Sequence, residues 1–253
     1  MALFQSGNPT LTEKIFSKTY SNQQEGLMTV RGTINKFGFV LLMVLGAAFY
    51  SWHLNEEART GTMTALMITG VIGGLICAIA ISFKPNWAPY LAPAYGLLEG
   101  LFIGGISAIV NEGFSKSYPG IVLQAVGLTF GVAIAMFLLY NFRIIKATER
   151  FKSIIYTSIL GIGIFYLITM VLGMFHINLP FMYNGSLIGI GISLFVVAIA
   201  SLSLILDFDM IEKGADMGAP KYMEWYGAFG LMVTLVWLYM EILKLLMRLS
   251  QRD

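Results

Sequence analysis

The chain has 253 residues, of which 57% are hydrophobic and only 12% are charged. Because a soluble domain carries about 25% charged residues, this composition excludes an ordinary soluble protein. The net charge of +2 excludes the strongly basic surface that nucleic-acid binding requires.

Seven apolar stretches are long enough to cross a bilayer, whose hydrocarbon core of about 30 Å needs roughly 20 helical residues. We therefore predict an all-α membrane protein with a polar N-terminal leader at residues 1–36, a seven-helix transmembrane domain at residues 37–247 and a short tail at residues 248–253. The predicted spans are Phe37–Leu54, Thr62–Phe83, Ala88–Val110, Pro119–Tyr140, Ser153–Phe175, Asn184–Leu206 and Trp225–Met247.

Small residues recur four positions apart in several spans, a spacing that lets helix backbones approach closely in lipid. This pattern predicts one compact bundle. The glycines concerned are Gly96, Gly100 and Gly104 in the third span, Gly127 and Gly131 in the fourth, and Gly185 and Gly189 in the sixth.

The distribution of lysine and arginine indicates orientation, because short cytoplasmic spacers carry an excess of both. With a cytoplasmic N-terminus, only Arg59 and Lys116 lie in spacers on the outer side. Lys244, Arg248 and Arg252 come late in the chain and would also face outward, which conflicts with the rule. Either the last span does not fully cross, or the earlier spacers outweigh it. The basic residues placed in the cytoplasm are Lys14, Lys18, Arg31, Lys36, Lys84, Arg143, Lys146, Arg150, Lys152, Lys213 and Lys221.

Acidic residues inside the spans are the candidates for a functional role, because a charge in hydrocarbon is costly. Glu99 lies near the middle of the third span and Glu241 lies well inside the seventh. Asp207 and Asp209 are expected where the sixth span leaves the membrane. A structural role is also open, since aspartates at a helix end reach water and Glu241 has the spacing to pair with Lys244. Apart from that pairing, no clear basic partner is evident.

Carboxylates that face each other in a low-dielectric bundle cannot all ionise, so one of them keeps its proton. Such a pair responds to pH, because a shared proton holds two helices together and its loss separates them. Carboxylate oxygens are also hard ligands suited to Ca²⁺. Asp207 and Asp209 point to different faces of a helix, so only one of them is expected to face the bundle interior with Glu241.

No pattern indicates an enzyme or a bound cofactor. The two histidines, His53 and His176, lie at span ends and lack the spacing of metal ligands. Cys77 lies in an apolar run and is interpreted as a packing residue. Without a nucleophile and a base in a recognisable set, we predict neither catalysis nor a cofactor.

Three stretches carry a resemblance to a known family. They are Met28–Lys36 (MTVRGTINK), Ala92–Gly104 (APAYGLLEGLFIG) and Leu206–Leu243, which begins LDFDMIE and ends LVWLYMEIL. Together they resemble the Bax inhibitor-1-like family, the transmembrane Bax-inhibitor-motif proteins, in its bacterial, YccA-type branch.

This resemblance implies a fold in which six helices surround a central seventh, and a pH-sensitive calcium leak gated by two aspartates on the sixth and seventh helices. The sixth-helix aspartate falls on Asp207 or Asp209, and the neighbouring residues favour Asp207. The seventh-helix position is occupied by Glu241, whose side chain is one methylene longer. Transient Ca²⁺ is expected at Asp207 and Glu241, in a monomer of the bacterial inner membrane.

The leading hypothesis is therefore a passive, pH-regulated cation (Ca²⁺) leak channel whose partners are the bilayer, Ca²⁺ and protons. Two alternatives stay open. The bundle could instead regulate a partner membrane protein such as a membrane protease, or it could be a proton-coupled transporter of a small solute that uses Glu99.

Overall fold

Seven long helices account for most of the chain that the computed structural model describes, residues 26–175 and 185–251. Each is long and apolar enough to cross a membrane. The prediction of an all-α membrane protein with seven transmembrane helices is therefore confirmed. In chain order they are α1 (Val30–Glu56), α2 (Thr60–Phe83), α3 (Ala88–Gly113), α4 (Ile121–Asn141), α5 (Glu149–Met174), α6 (Leu187–Asp216) and α7 (Met223–Ser250), with one 3-10 turn at Pro85–Trp87.

The surface of the helices carries large apolar side chains that water would not solvate. Phe83, Tyr90 and Leu123 are 83%, 81% and 77% exposed. Soluble proteins rarely expose contiguous apolar patches larger than a few hundred Å², whereas a helix satisfies its backbone internally and tolerates lipid on such a face. The chain is a multi-pass membrane protein.

Helix α1 begins seven residues before the predicted first span. Thr29 caps it, because its Oγ1 accepts a hydrogen bond from the backbone N–H of Gly32 at 2.9 Å. Residues 30–36, which were assigned to the polar leader, are therefore helical. Residues 1–25 of that leader lie outside the described residues.

Helix α6 continues ten residues past the predicted end of the sixth span, to Asp216. The expected long spacer from Asp207 to Glu224 is wrong, because only residues 217–222 separate α6 from α7. At 1.5 Å per residue, the 30 residues of α6 extend about 45 Å, more than the hydrocarbon core needs. Asp207 and Asp209 thus lie within a continuous helix rather than at its end.

The described chain forms two compact units, and each is built around its own helices. The α1–α3 unit comprises residues 26–113 and 207–233. In it, α1 and α2 both pack against α3. The glycines of α3 permit this packing: a Cβ added at Gly104 would lie 2.6 Å from Cα of Ala48 in α1. A Cβ added at Gly70 of α2 would lie 2.5 Å from the carbonyl oxygen of Leu98 in α3.

The α4–α5 unit comprises residues 114–175, 185–206 and 234–251. Its core joins α5 to the first part of α6, and Trp237 of α7 packs against it. The buried members are Ile155, Tyr156, Ile162, Val196, Ile199 and Leu206. This unit therefore places the second half of α7 beside α5 and α6.

The predicted role of glycine in close helix packing holds for α3 but not for α4. An added Cβ at Gly127 or Gly131 would meet no described atom within 4 Å. These two glycines therefore have no close neighbour among the described residues. A spacing of four identifies candidate contact faces, but it does not identify which of them has a partner.

We expect Gly104→Leu to destabilise the protein by about 1–3 kcal/mol, the cost of overpacking a well-packed site, because the added side chain would meet the backbone of Ala48. The melting temperature of the purified protein in detergent measures this loss. Gly127→Leu makes the same chemical change on an open face and should leave that temperature nearly unchanged. Equal losses in the two variants would contradict the assigned α1–α3 contact.

Candidate functional site: carboxylates within the spans

Glu241 of α7 is buried, at 2% exposure, and two side chains hold it. Tyr166 of α5 directs its hydroxyl at the carboxylate, 3.1 Å from both oxygens. Lys244 places its Nζ 3.0 Å from Oε1, so the intrahelical pair expected from the spacing is present. A phenol donor and an ammonium therefore replace the water that this carboxylate lost on burial.

Asp207 and Asp209 lie two residues apart on α6 and have different surroundings, as the helical period requires. Asp207 is 2% exposed. The side chain of Asp209 is 13% exposed, and its Oδ2 lies 2.9 Å from Nζ of Lys213 on the next turn. This ion pair was not predicted, although an acid and a lysine four residues apart are its ordinary signal.

Glu99 lies near the middle of α3 and shares a hydrogen bond with Tyr95, one turn earlier. The Tyr95 ring is fixed in turn by an edge-on contact with Phe229, with centroids 4.9 Å apart. Gly74 of α2 makes room for the carboxylate, since an added Cβ would lie 3.2 Å from its Oε2. Within the described residues Glu99 forms no ion pair.

The comparisons with known proteins can be set beside this geometry. A family model described as "Bax inhibitor 1 like" matches residues 8–251, nearly the whole chain. The chain belongs to the Bax inhibitor 1-like family. Comparison with curated proteins and with solved structures gave no significant match.

In this Bax inhibitor 1-like protein the four predicted acids are distributed over both units. Glu99, Asp207 and Asp209 belong to the α1–α3 unit, and Glu241 belongs to the α4–α5 unit. Three of them are bound by a side chain of their own helix: Tyr95 for Glu99, Lys213 for Asp209 and Lys244 for Glu241. At these three positions a hydrogen-bond donor lies on the same helix, which is why short sequence spacings could have revealed it.

A fifth carboxylate, Glu224, was not predicted as a site residue and is fully buried in the first turn of α7. Its Oε1 accepts hydrogen bonds from the backbone N–H and the hydroxyl of Thr29, at 3.0 and 2.9 Å, and from Nζ of Lys221 at 2.7 Å. Its Oε2 pairs with Lys36 of α1. Gly32 permits the approach, because any Cβ there would collide with the carboxylate.

Backbone hydrogen bonds reinforce this arrangement, which we call the Glu224 clasp (Thr29, Lys36, Lys221 and Glu224). The N–H of Met28 donates to the carbonyl of Ala219 at 2.7 Å, and the N–H of Lys221 donates to that of Gly26 at 3.1 Å. The clasp therefore joins the start of α1 to the start of α7. The stretch Met28–Lys36, quoted above for its family resemblance, supplies two of its side chains.

Two of the three basic residues that conflict with the predicted orientation, Lys244 and Arg248, belong to α7, and Arg252 lies outside the described residues. Arg248 donates from Nη1 to the carbonyl of Gly189 at 2.6 Å and to Oγ of Ser193 at 2.5 Å, both on α6. Lys244 pairs with Glu241. The orientation rule counts lysine and arginine in the loops between spans. Lys244 and Arg248 make contacts within the helices instead, so they say little about orientation. Helix α7 extends to Ser250, so residues 248–250 of the predicted tail are helical.

Within residues 26–175 and 185–251, no group of three or more His, Cys, Asp or Glu side chains is placed to hold a metal ion together. His53, predicted at a span end, lies at the end of α1, with its ring nitrogens 3.4 and 3.3 Å from Glu56 and Glu57. His176 lies outside the described residues.

We expect Glu224→Gln to lower the free energy of unfolding by about 2–4 kcal/mol, because it leaves Lys36 facing a neutral amide where a buried ion pair stood. The contribution of Lys221 is smaller, since its side chain is 44% exposed. Chemical denaturation of the purified protein measures the loss. Glu56→Gln, at the exposed end of α1, is the matched control and should cost little. Equal losses of unfolding free energy in Glu224→Gln and Glu56→Gln would contradict the assigned role of the clasp.

Proposed function

We propose that this protein is a pH-sensitive cation leak channel of the bacterial inner membrane, with Ca²⁺ among the ions it passes and with its N-terminus in the cytoplasm. In this proposal Asp207 of α6 and Glu241 of α7 are the two gating carboxylates. They share a proton in one state and separate when that proton is lost.

The burial of two carboxylates in the spans carries the proposal. Asp207 and Glu241 are each 2% exposed, within helices whose other residues are largely apolar. A carboxylate in such a place is costly to retain, and in membrane proteins it typically marks an ion or proton pathway. The family to which the chain belongs supports the same assignment.

The burial of α7 supports the central position that the resemblance implies for the seventh helix. In α7, 72% of the most apolar stretch is buried, whereas the corresponding fraction in the other six candidate spans is 11–50%. A helix surrounded by protein rather than lipid is where a polar pathway could be lined without exposing charge to hydrocarbon. We accordingly propose that the pathway follows α7.

Calcium flux into liposomes that carry the purified protein tests the proposal. We expect flux that differs between pH 6 and pH 8. Asp207→Asn and Glu241→Gln should each abolish or flatten that dependence, because an amide cannot titrate. Influx is followed with a calcium dye trapped inside the vesicles, against protein-free vesicles.

Asp209→Asn is the matched control, because it makes the same change two residues away at an aspartate that already has Lys213 as its counter-ion. This variant should keep the pH dependence of the unmodified protein. The proposal fails if no preparation passes calcium at either pH. The assignment of the gate fails if Asp209→Asn removes the dependence and Asp207→Asn does not.

A further inference from the structure

Lys244, Glu241 and Tyr166 enclose one another in the α4–α5 unit. The ammonium of Lys244 lies 3.0 Å from Oε1 of Glu241 and 5.1 Å from the centroid of the Tyr166 ring. The Tyr166 hydroxyl lies 3.1 Å from both carboxylate oxygens. The Lys244 ammonium thus occupies a position bounded by a carboxylate and the face of an aromatic ring, both of which attract positive charge.

The two members of the ion pair differ in how easily each can leave. Glu241 has 2% of its side chain exposed, whereas the Lys244 side chain is 39% exposed. A lysine has a flexible four-carbon stem and a compact ammonium. Its head can therefore move away from the carboxylate by side-chain rotation alone, while the carboxylate remains in place.

A departing ammonium would leave behind an arrangement that another cation can use. The two oxygens of Glu241 and the hydroxyl oxygen of Tyr166 are hard donors, the kind that Ca²⁺ prefers. A buried carboxylate without a positive partner is strongly unfavourable. Exchange of the Lys244 ammonium for another cation is therefore more favourable than leaving the Glu241 carboxylate without a cation.

We infer that Lys244 is a tethered internal cation that competes with an incoming divalent cation for Glu241, and so restrains cation binding at this site. The inference rests on the proposed function only for the choice of Ca²⁺ as the competitor. It assigns a role to a side chain that the gating carboxylates alone do not explain. In this protein Lys244 is the cation bound to Glu241, and another cation can bind there only after the Lys244 ammonium has moved away.

Equilibrium calcium binding to the purified protein in detergent, measured by calorimetry with CaCl₂, tests this inference directly. Lys244→Met removes the ammonium and keeps much of the apolar stem. We expect it to bind Ca²⁺ about ten-fold more tightly than the unmodified protein, within the range typical of coupled sites. Lys244→Arg keeps the charge and should show no such gain.

Two further variants determine whether the gain arises at Glu241. Combining Lys244→Met with Glu241→Gln should remove the gain, because the competing carboxylate is gone. Lys84→Met is the matched control, since Lys84 also lies over an aromatic ring, that of Trp87 at 4.3 Å, but forms no ion pair with an acid among the described residues. The inference is overturned if Lys244→Met binds no more tightly than the unmodified protein, if the gain persists without Glu241, or if Lys84→Met reproduces it.

A chemical version keeps the test decisive even if Lys244→Met fails to fold. Lys244→Cys is prepared in a Cys77→Ala background, because Cys77 is the one native cysteine. An aminoethyl methanethiosulfonate reagent forms a disulfide with the new thiol, releases methanesulfinate and restores an ammonium at this position. Calcium binding should weaken after this treatment and stay tight after the uncharged hydroxyethyl reagent. Equal effects of both reagents would overturn the inference.

Binding and flux distinguish the two claims. Tight calcium binding by Lys244→Met without flux in liposomes would support the tethered cation and contradict the leak channel. PH-dependent flux without any gain in binding would support the channel and contradict the tethered cation.

Discussion

A carboxylate within a membrane span must be compensated by the protein itself, because hydrocarbon offers no water to solvate it. Two of the acids in the spans are compensated in the same way, by a lysine placed three or four residues away on the same helix. Lys244 serves Glu241 and Lys213 serves Asp209. The packing of the helices then supplies a further donor where one is needed, as Tyr166 of α5 does for Glu241.

Two buried carboxylates, Glu224 and Glu241, differ in how many donors bind them. The Glu224 clasp combines two lysines, a threonine and two backbone hydrogen bonds, and its carboxylate is fully buried. Such a network resists the loss of any one partner, so it suits a fixed junction between α1 and α7. Among the described residues, Glu241 has Lys244 as its ion-pair partner, and that lysine is partly exposed. A pair that depends on one partly exposed side chain is more open to exchange of its cation than the Glu224 clasp is.

Most of the fold follows from hydropathy, because a helix that crosses lipid needs a long uninterrupted apolar stretch and little else. The predicted spans accordingly match the helices, except where a helix continues through polar residues beyond the predicted end. Helix α6 continues through Asp207 because nothing between Leu206 and Asp216 breaks it, and hydropathy does not register a polar helix. The candidate acids were visible in the sequence because charge in a span is rare. The contacts of Tyr166 with Glu241 and of Thr29 and Lys36 with Glu224 join residues far apart in the chain, and no short spacing predicts them.

The central physical claim is that Glu241 and Lys244 are held in the span as a mutually dependent ion pair. A double-mutant cycle on the free energy of unfolding, with Glu241→Gln, Lys244→Met and the combination, tests it most directly. If the claim holds, the double variant is more stable than the sum of the two losses predicts, by about 0.5–3 kcal/mol, because each single change leaves the other charge without its partner. Strictly additive losses would contradict it, since they would show that neither charge depends on the other.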